Sequence, residues 1–455
     1  MTRRHSNPPL QLDTPAKIAI VAIAATWLVV VLGGGSARPD VPYIVLVRLT
    51  AVFALVLLLI FMPPDRLRLQ KSVLFFIGAA ALLIGLQLVP LPPAIWESLP
   101  GRAPYAALAA EPAIGRVWRP ISLSPDLTWN ALLSLIPPLA FAVGIPALGF
   151  RLQRFVLIGL LITILLGAFV GLMQIAGGPD SPLRYYQFSN TDAATGFLAN
   201  RNHQAVLLAM GIPLAAWWTT SSDGIRSSAR LAIGGSIVLL LLTAAVMTQS
   251  RMGALVVALS ILMTGTFLYR DGGLSKAALR WIGVAVLLGG VIVAAGLATW
   301  ADSRLAFAQI GDDLRFRILP ESLAAAWAFF PVGAGVGTFP SVFPQFESVA
   351  DLSPQYVNHT HSELTQIVIE GGAAAVLMLV AMLGWLAGAV RRAWSGTGDS
   401  RAGTASQARL ATILLILPLV GSISDYPLRT PIMACAFAAA AAMLARFGLE
   451  RPSAR

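Results

Sequence analysis

Phe155-Val-Leu-Ile-Gly-Leu-Leu-Ile-Thr-Ile-Leu-Leu-Gly-Ala-Phe-Val-Gly-Leu-Met-Gln-Ile-Ala176 decides the fold, because the whole stretch carries no charged side chain. About 20 apolar residues in a helix cross the ~30 Å of hydrocarbon in a bilayer. Backbone in lipid has no water to bond, so a run of this length must be helical. Eleven other stretches read the same way, at roughly 17–33, 43–62, 72–90, 127–148, 203–219, 231–248, 252–269, 281–300, 372–390, 409–424 and 430–445. The expected fold is therefore an all-α polytopic membrane protein of about twelve transmembrane helices, one transmembrane domain over residues 1–455. Composition agrees: 57% of the 455 residues are hydrophobic, 12% are charged, and the mean hydropathy is +0.76. No soluble class has such values.

The net charge of +11 is topological. If the N-terminal end is cytoplasmic and the spans alternate, the cytoplasmic side holds 20 Lys and Arg against 6 Asp and Glu. The outer side then holds 11 against 15. That is the positive-inside pattern with both termini in the cytoplasm, and it removes nucleic acid as a partner. The first span has a basic flank and is read as a retained helix. Cys435, the single cysteine, permits no internal disulfide and reads as small packing filler.

Polar material lies on the outer side. Cytoplasmic connections such as 65–71 and 151–154 are too short for a catalytic domain, and no phosphate-cradling Gly-rich Lys loop occurs. The outer segments are 91–126, 177–202 and the main loop 301–362 between the ninth and tenth spans. A short helix is expected from Arg315 to Phe330, stopped by Pro331. The run Gly333-x-Gly335-x-Gly337 after it reads as a tight or flexible turn, since it follows a helix where a dinucleotide fingerprint follows a strand.

His361 ends that loop, in Tyr356-Val-Asn-His-Thr-His-Ser-Glu-Leu-Thr-Gln-Ile-Val-Ile-Glu-Gly-Gly372. On a helix starting near Asn358, His361 would share a face with Leu364, Thr365 and Val368. An imidazole at a membrane surface is either a proton-transfer group or an interfacial helix cap. His359, two residues away, is the weaker candidate, and without H-E-x-x-H no metal site is expected. Arg251, at a tight outer turn between two apolar spans, needs an anionic partner or snorkels to headgroups. Arg48, Arg315 and Arg317 raise the same question, and guanidinium forks suit diphosphate oxygens.

In this order the motifs resemble the O-antigen ligase and polymerase family of bacterial envelope glycosyltransferases. His361-Ser362, nine residues and Gly372 match its signature, with Glu370 where the family often has a carboxylate. Gly196-Phe-Leu-Ala-Asn-Arg-Asn202, Gln249-Ser-Arg251 and Gly333 to Phe339 extend the likeness over roughly residues 160–390. The resemblance implies a GT-C-like plan in the inner membrane with the site facing the periplasm. It also implies transfer of a glycan from undecaprenyl diphosphate to a hydroxyl of a glycan or of lipid A-core, with membrane lipids around it and neither metal nor other cofactor. His361 would be the base and Arg251 the diphosphate ligand. Arg317, Arg315, Arg48, Glu370 and Asn202 would bind substrate. Trp96, Tyr185, Tyr186 and Phe343 are candidates to stack on sugar rings. The rival reading is a transporter or flippase of lipid-linked oligosaccharide, which would be expected to carry ionisable residues at mid-membrane.

Overall fold

The computed structural model describes residues 12–109, 111, 115–221, 227–271, 274–276, 280, 317–349, 356–395 and 402–447. The expected ninth span and Arg315 lie outside them. Its longer helices are α1 (Thr14–Gly33), α2 (Ile44–Phe61), α3 (Lys71–Leu86), α4 (Pro125–Leu133), α5 (Ile136–Gly144), α6 (Phe150–Ala176) and α7 (Arg201–Ser221). They continue with α8 (Ser227–Met247), α9 (Arg251–Arg270), α10 (Leu319–Phe329), α11 (Glu363–Ser395), α12 (Ala402–Gly421) and α13 (Pro431–Phe447). The described sheet is one antiparallel pair, Pro90–Leu91 against Arg119–Pro120.

Among the described residues, eight helices are long and apolar enough to cross a membrane. The expectation of about twelve is not matched by that count. The third and twelfth expected spans form the shorter helices α3 and α13. The sixth, α7, is not among the eight and sits at the centre of the bundle, against α6, α8, α9 and α12. The ninth lies outside the described residues, and the fourth, interrupted where Pro137 and Pro138 open α5 behind α4, is still one of the eight.

Buried almost all round from Asn202 to Trp217, α7 has the pattern of a core helix. Pro213 lies inside it and removes the amide hydrogen that would pair with the Ala209 carbonyl. Ser260 of α9 replaces that donor, its hydroxyl 2.7 Å from the Ala209 oxygen. Small residues let the two helices meet there, since a Cβ on Gly253 would stand 2.3 Å from that of Ala205. Cys435 is buried on α13, as filler should be.

The polar ends of the helices gather at two poles. Arg66 pairs with Asp13 at 2.5 Å and donates to the Ala147 carbonyl, Arg446 donates to that of Leu148, and Arg409 pairs with Asp271. These residues lie at the pole that the charge pattern leads one to expect on the cytoplasmic side. The chemistry-bearing side chains collect at the other.

Candidate active site

The site is built around a break in α11. Gly372 has φ +57° and ψ −151°, so the helix cannot run through it. The Ala373 amide bonds the Pro331 carbonyl instead of continuing the helix. That frees the carbonyls of Ile369 and Glu370, and the Gly333–Gly337 turn supplies new donors. The Ala334 amide bonds Ile369 at 2.8 Å and the Gly335 amide bonds Glu370 at 2.9 Å, while Gln87 of the loop after α3 donates to Glu370 at 3.0 Å. All three glycines have positive φ, and a Cβ on Gly333 would stand 2.5 Å from the Glu370 oxygen. The tight turn read from the sequence is a strap that holds the break.

The break presents Glu370 inward, 1% exposed. Its carboxylate accepts from Gln366 at 2.8 Å, from the Phe339 amide at 3.3 Å and from Arg429 at 3.1 Å. Arg429 also grips Glu363 through two bonds of 2.6 and 3.1 Å. Burial alone would lower the affinity of Arg429 for its proton, but the two carboxylates outweigh that and hold it above its ordinary pKa.

Gln366 extends the chain to His359. The Gln366 amide nitrogen faces Glu370 and its oxygen accepts from the Thr360 amide at 3.3 Å, which fixes its orientation. His359 Nδ1 lies 3.2 Å from that oxygen and 3.0 Å from that nitrogen. Burial, then the positive charge of Arg429 and the neighbouring His361, holds the His359 pKa well below the usual histidine value, so the imidazole is neutral.

A second hub is Asp425, fully buried before α13. It accepts from Asn202 at 2.6 Å and from the Tyr426 amide at 2.9 Å, and lies 3.1 Å from His203. Asn202 in turn accepts from Ser250 at 2.7 Å, and Ser250 caps α9 through the Gly253 amide. The Tyr426 ring sits among three histidines, with ring centroids 4.1 Å from His359, 5.0 Å from His203 and 5.4 Å from His361. Three of the four histidines of the chain thus surround one phenol.

Beside this cluster opens a cavity of about 720 Å³. Ile84, Leu127, Ile367, Leu383, Ile416 and Leu419 form an apolar barrel, and Asn130, Asn358, His359, Glu363 and Arg429 form one polar wall. An apolar pocket with few convergent polar groups is the usual form of a ligand site.

Of the residues expected from sequence, His361, Glu370 and Asn202 come into this one neighbourhood. His361 does not ride on the helix as expected. Helix α11 starts at Glu363, and His361 precedes it in a turn with φ +56°, a conformation that histidine tolerates only in tight turns. Arg251 is exposed at the first residue of α9, next to the Ser250 that holds Asn202. Arg48 reaches the cavity wall, donating to the Asn130 carbonyl at 3.0 Å and side chain at 2.6 Å. Arg317 is exposed just before α10. Trp96, Tyr186 and Phe343 are 3%, 7% and 1% exposed and serve as core rather than as sugar platforms.

Arg429, Asp425, Tyr426, His203 and Gln366 were not singled out from the sequence. A signal existed for three of them: Asp425, Tyr426 and Arg429 crowd one short turn between two apolar spans. Among the described residues, no group of three His, Cys, Asp or Glu side chains is placed to hold a metal ion.

Residues 236–380 match the family model described as O-antigen ligase. The matched segment contains Arg251, the glycine strap, His359, His361 and Glu370, and it supports the family read from the motif order. No curated protein and no solved structure matches the chain.

Proposed function

From a chain carrying this O-antigen ligase match, we propose a membrane glycosyltransferase that moves a glycan from undecaprenyl diphosphate to an acceptor hydroxyl at the periplasmic face of the bacterial inner membrane. One observation carries the reading. Stretches 196–203, 248–251 and 356–372, far apart in sequence, meet at a single pole beside an amphiphilic cavity. A lipid-borne substrate needs that combination, an apolar bed next to polar groups.

In this reading the imidazole of His361 takes the proton of the acceptor hydroxyl. The acceptor oxygen bonds to the anomeric carbon as the bond from that carbon to the phosphate oxygen breaks. The diphosphate leaves with the electron pair, and Arg251 balances its charge, with Arg317, Arg315 and Arg48 as further cations. Glu370 and Asn202 hold the frame. A ligase and a polymerase differ only in the acceptor, lipid A-core or a growing glycan.

The test is transfer by purified protein from a glycan on undecaprenyl diphosphate, read as free lipid diphosphate and a new glycosidic bond. His361→Ala is expected to lower turnover by roughly 10²–10⁴-fold, the range for a lost general base, while the protein still inserts and folds. Arg251→Ala is expected to lose on the order of 10²-fold or more, as for a lost charge-stabilising group. Retained activity in the His361 variant sinks the base assignment. The cavity between helices also suits carriage of a lipid-linked oligosaccharide. Movement of substrate across proteoliposomes without bond formation would favour that second reading.

A further inference from the structure

The polar wall of the cavity holds two buried groups that no described residue satisfies. His359 is only 7% exposed, and its Nε2 has no hydrogen-bond partner among the described residues, although its Nδ1 is held by Gln366. The Oδ1 of Asn358, beside it on the wall, is likewise buried without a partner. Beside them Arg429 bonds its two glutamates through Nε and one Nη. Buried polar atoms almost always have partners, and each orphan costs stability. Two at neighbouring positions on the lining of one cavity mark a place completed by a ligand.

We propose that Asn358 and His359 form a subsite for the vicinal hydroxyls of a sugar ring, carried by an amphiphile whose apolar part fills the barrel. The two groups offer an acceptor and a group able to play either role. A hydroxyl donates and accepts, so a polyol answers both, whereas phosphate oxygens only accept. Charge argues the same way. The charge of Arg429 is taken up by Glu363 and Glu370, and His359 is neutral, so neither attracts a diphosphate. The diphosphate is left to the cations of the proposed function, among them Arg251. The inference rests on the proposed function for the identity of the substrate, and it assigns the sugar and the diphosphate of that substrate class to different residues.

The full chain in lipid nanodiscs is titrated with hexyl β-glucoside and, separately, with geranyl diphosphate. Hexyl glucoside should bind, and His359→Ala and Asn358→Ala should each weaken it on the order of tenfold, the worth of one or two hydrogen bonds in a dry site. Geranyl diphosphate binding should be unchanged in both variants. If His359→Ala fails to fold, Asn358→Ala, at a half-buried position, gives the same reading. No binding of the glucoside, equal binding by the variants, or loss of diphosphate binding in them overturns the subsite. A chain that binds the glucoside through these residues yet forms no glycosidic bond would sink the proposed function and leave the subsite standing.

Discussion

At the scale of single residues, two imidazoles two positions apart do different work. His361 stands in a turn with positive φ before α11, its ring 5.4 Å from that of Tyr426, and is the base of the proposed reaction. His359 is locked between Gln366 and the cavity and kept neutral by burial, Arg429 and His361. The neutral state has a consequence for stability. In the unfolded chain a histidine takes up a proton below about pH 6.5, whereas folded His359 resists it. The unfolded state then binds more protons, so stability is full above about pH 6.5 and falls as the pH drops below it. Thermal melts of the wild type should therefore lose stability from pH 7 to pH 5, and His359→Gln should flatten that loss. An acid limb with the same slope in both would contradict neutral burial.

At the scale of elements, the break at Gly372 sets where the site faces. Its backbone lies in a region open almost only to glycine, at a cost of about 1–3 kcal/mol for other residues. A Cβ there would also stand 2.1 Å from the Pro331 oxygen. Gly372→Ala should thus lower the melting temperature and the transfer rate together, whereas Gly384→Ala, where a Cβ meets nothing within 4 Å, should leave both alone. A Gly372→Ala protein with wild-type stability would show that the strap is not needed to hold the break. The proline in α7 gives a smaller effect. Ser260→Ala leaves the Ala209 carbonyl without its donor and should cost about 0.6 kcal/mol, up to roughly 1.7, as measured for hydrogen bonds between membrane helices.

At the scale of the whole molecule, the cavity joins the pole that holds the candidate site to the apolar body of the bundle. Ala131 of α4 lines it. Ala131→Phe should raise the KM for a long-chain polyprenyl diphosphate donor more than for a short-chain one, with kcat little changed, because only the apolar bed is narrowed. Equal effects on both donors would show that the lipid lies elsewhere. Arg48, which steadies Asn130 on the same wall, belongs to this scale: its removal should act on donor binding before it acts on chemistry.

Periodicity and charge in the sequence determined the membrane class, the positions of most helices and the polar pole, because lipid forces each long uncharged run into a helix. His361 stood out as an imidazole where a loop meets an apolar run, and the motif resemblance added Glu370 and Asn202; the structure brings the three into one neighbourhood. The sequence did not reveal α7 as the central helix, because a lipid-facing and a protein-buried apolar helix look alike in one dimension. Only the tertiary structure brought Arg429, Asp425 and Tyr426 to the histidines, and only there is it seen that α11 begins at Glu363, which leaves His361 in a turn while His359 lines the cavity. Contacts between residues dozens to hundreds of positions apart are fixed by how helices pack, and no local pattern records that packing.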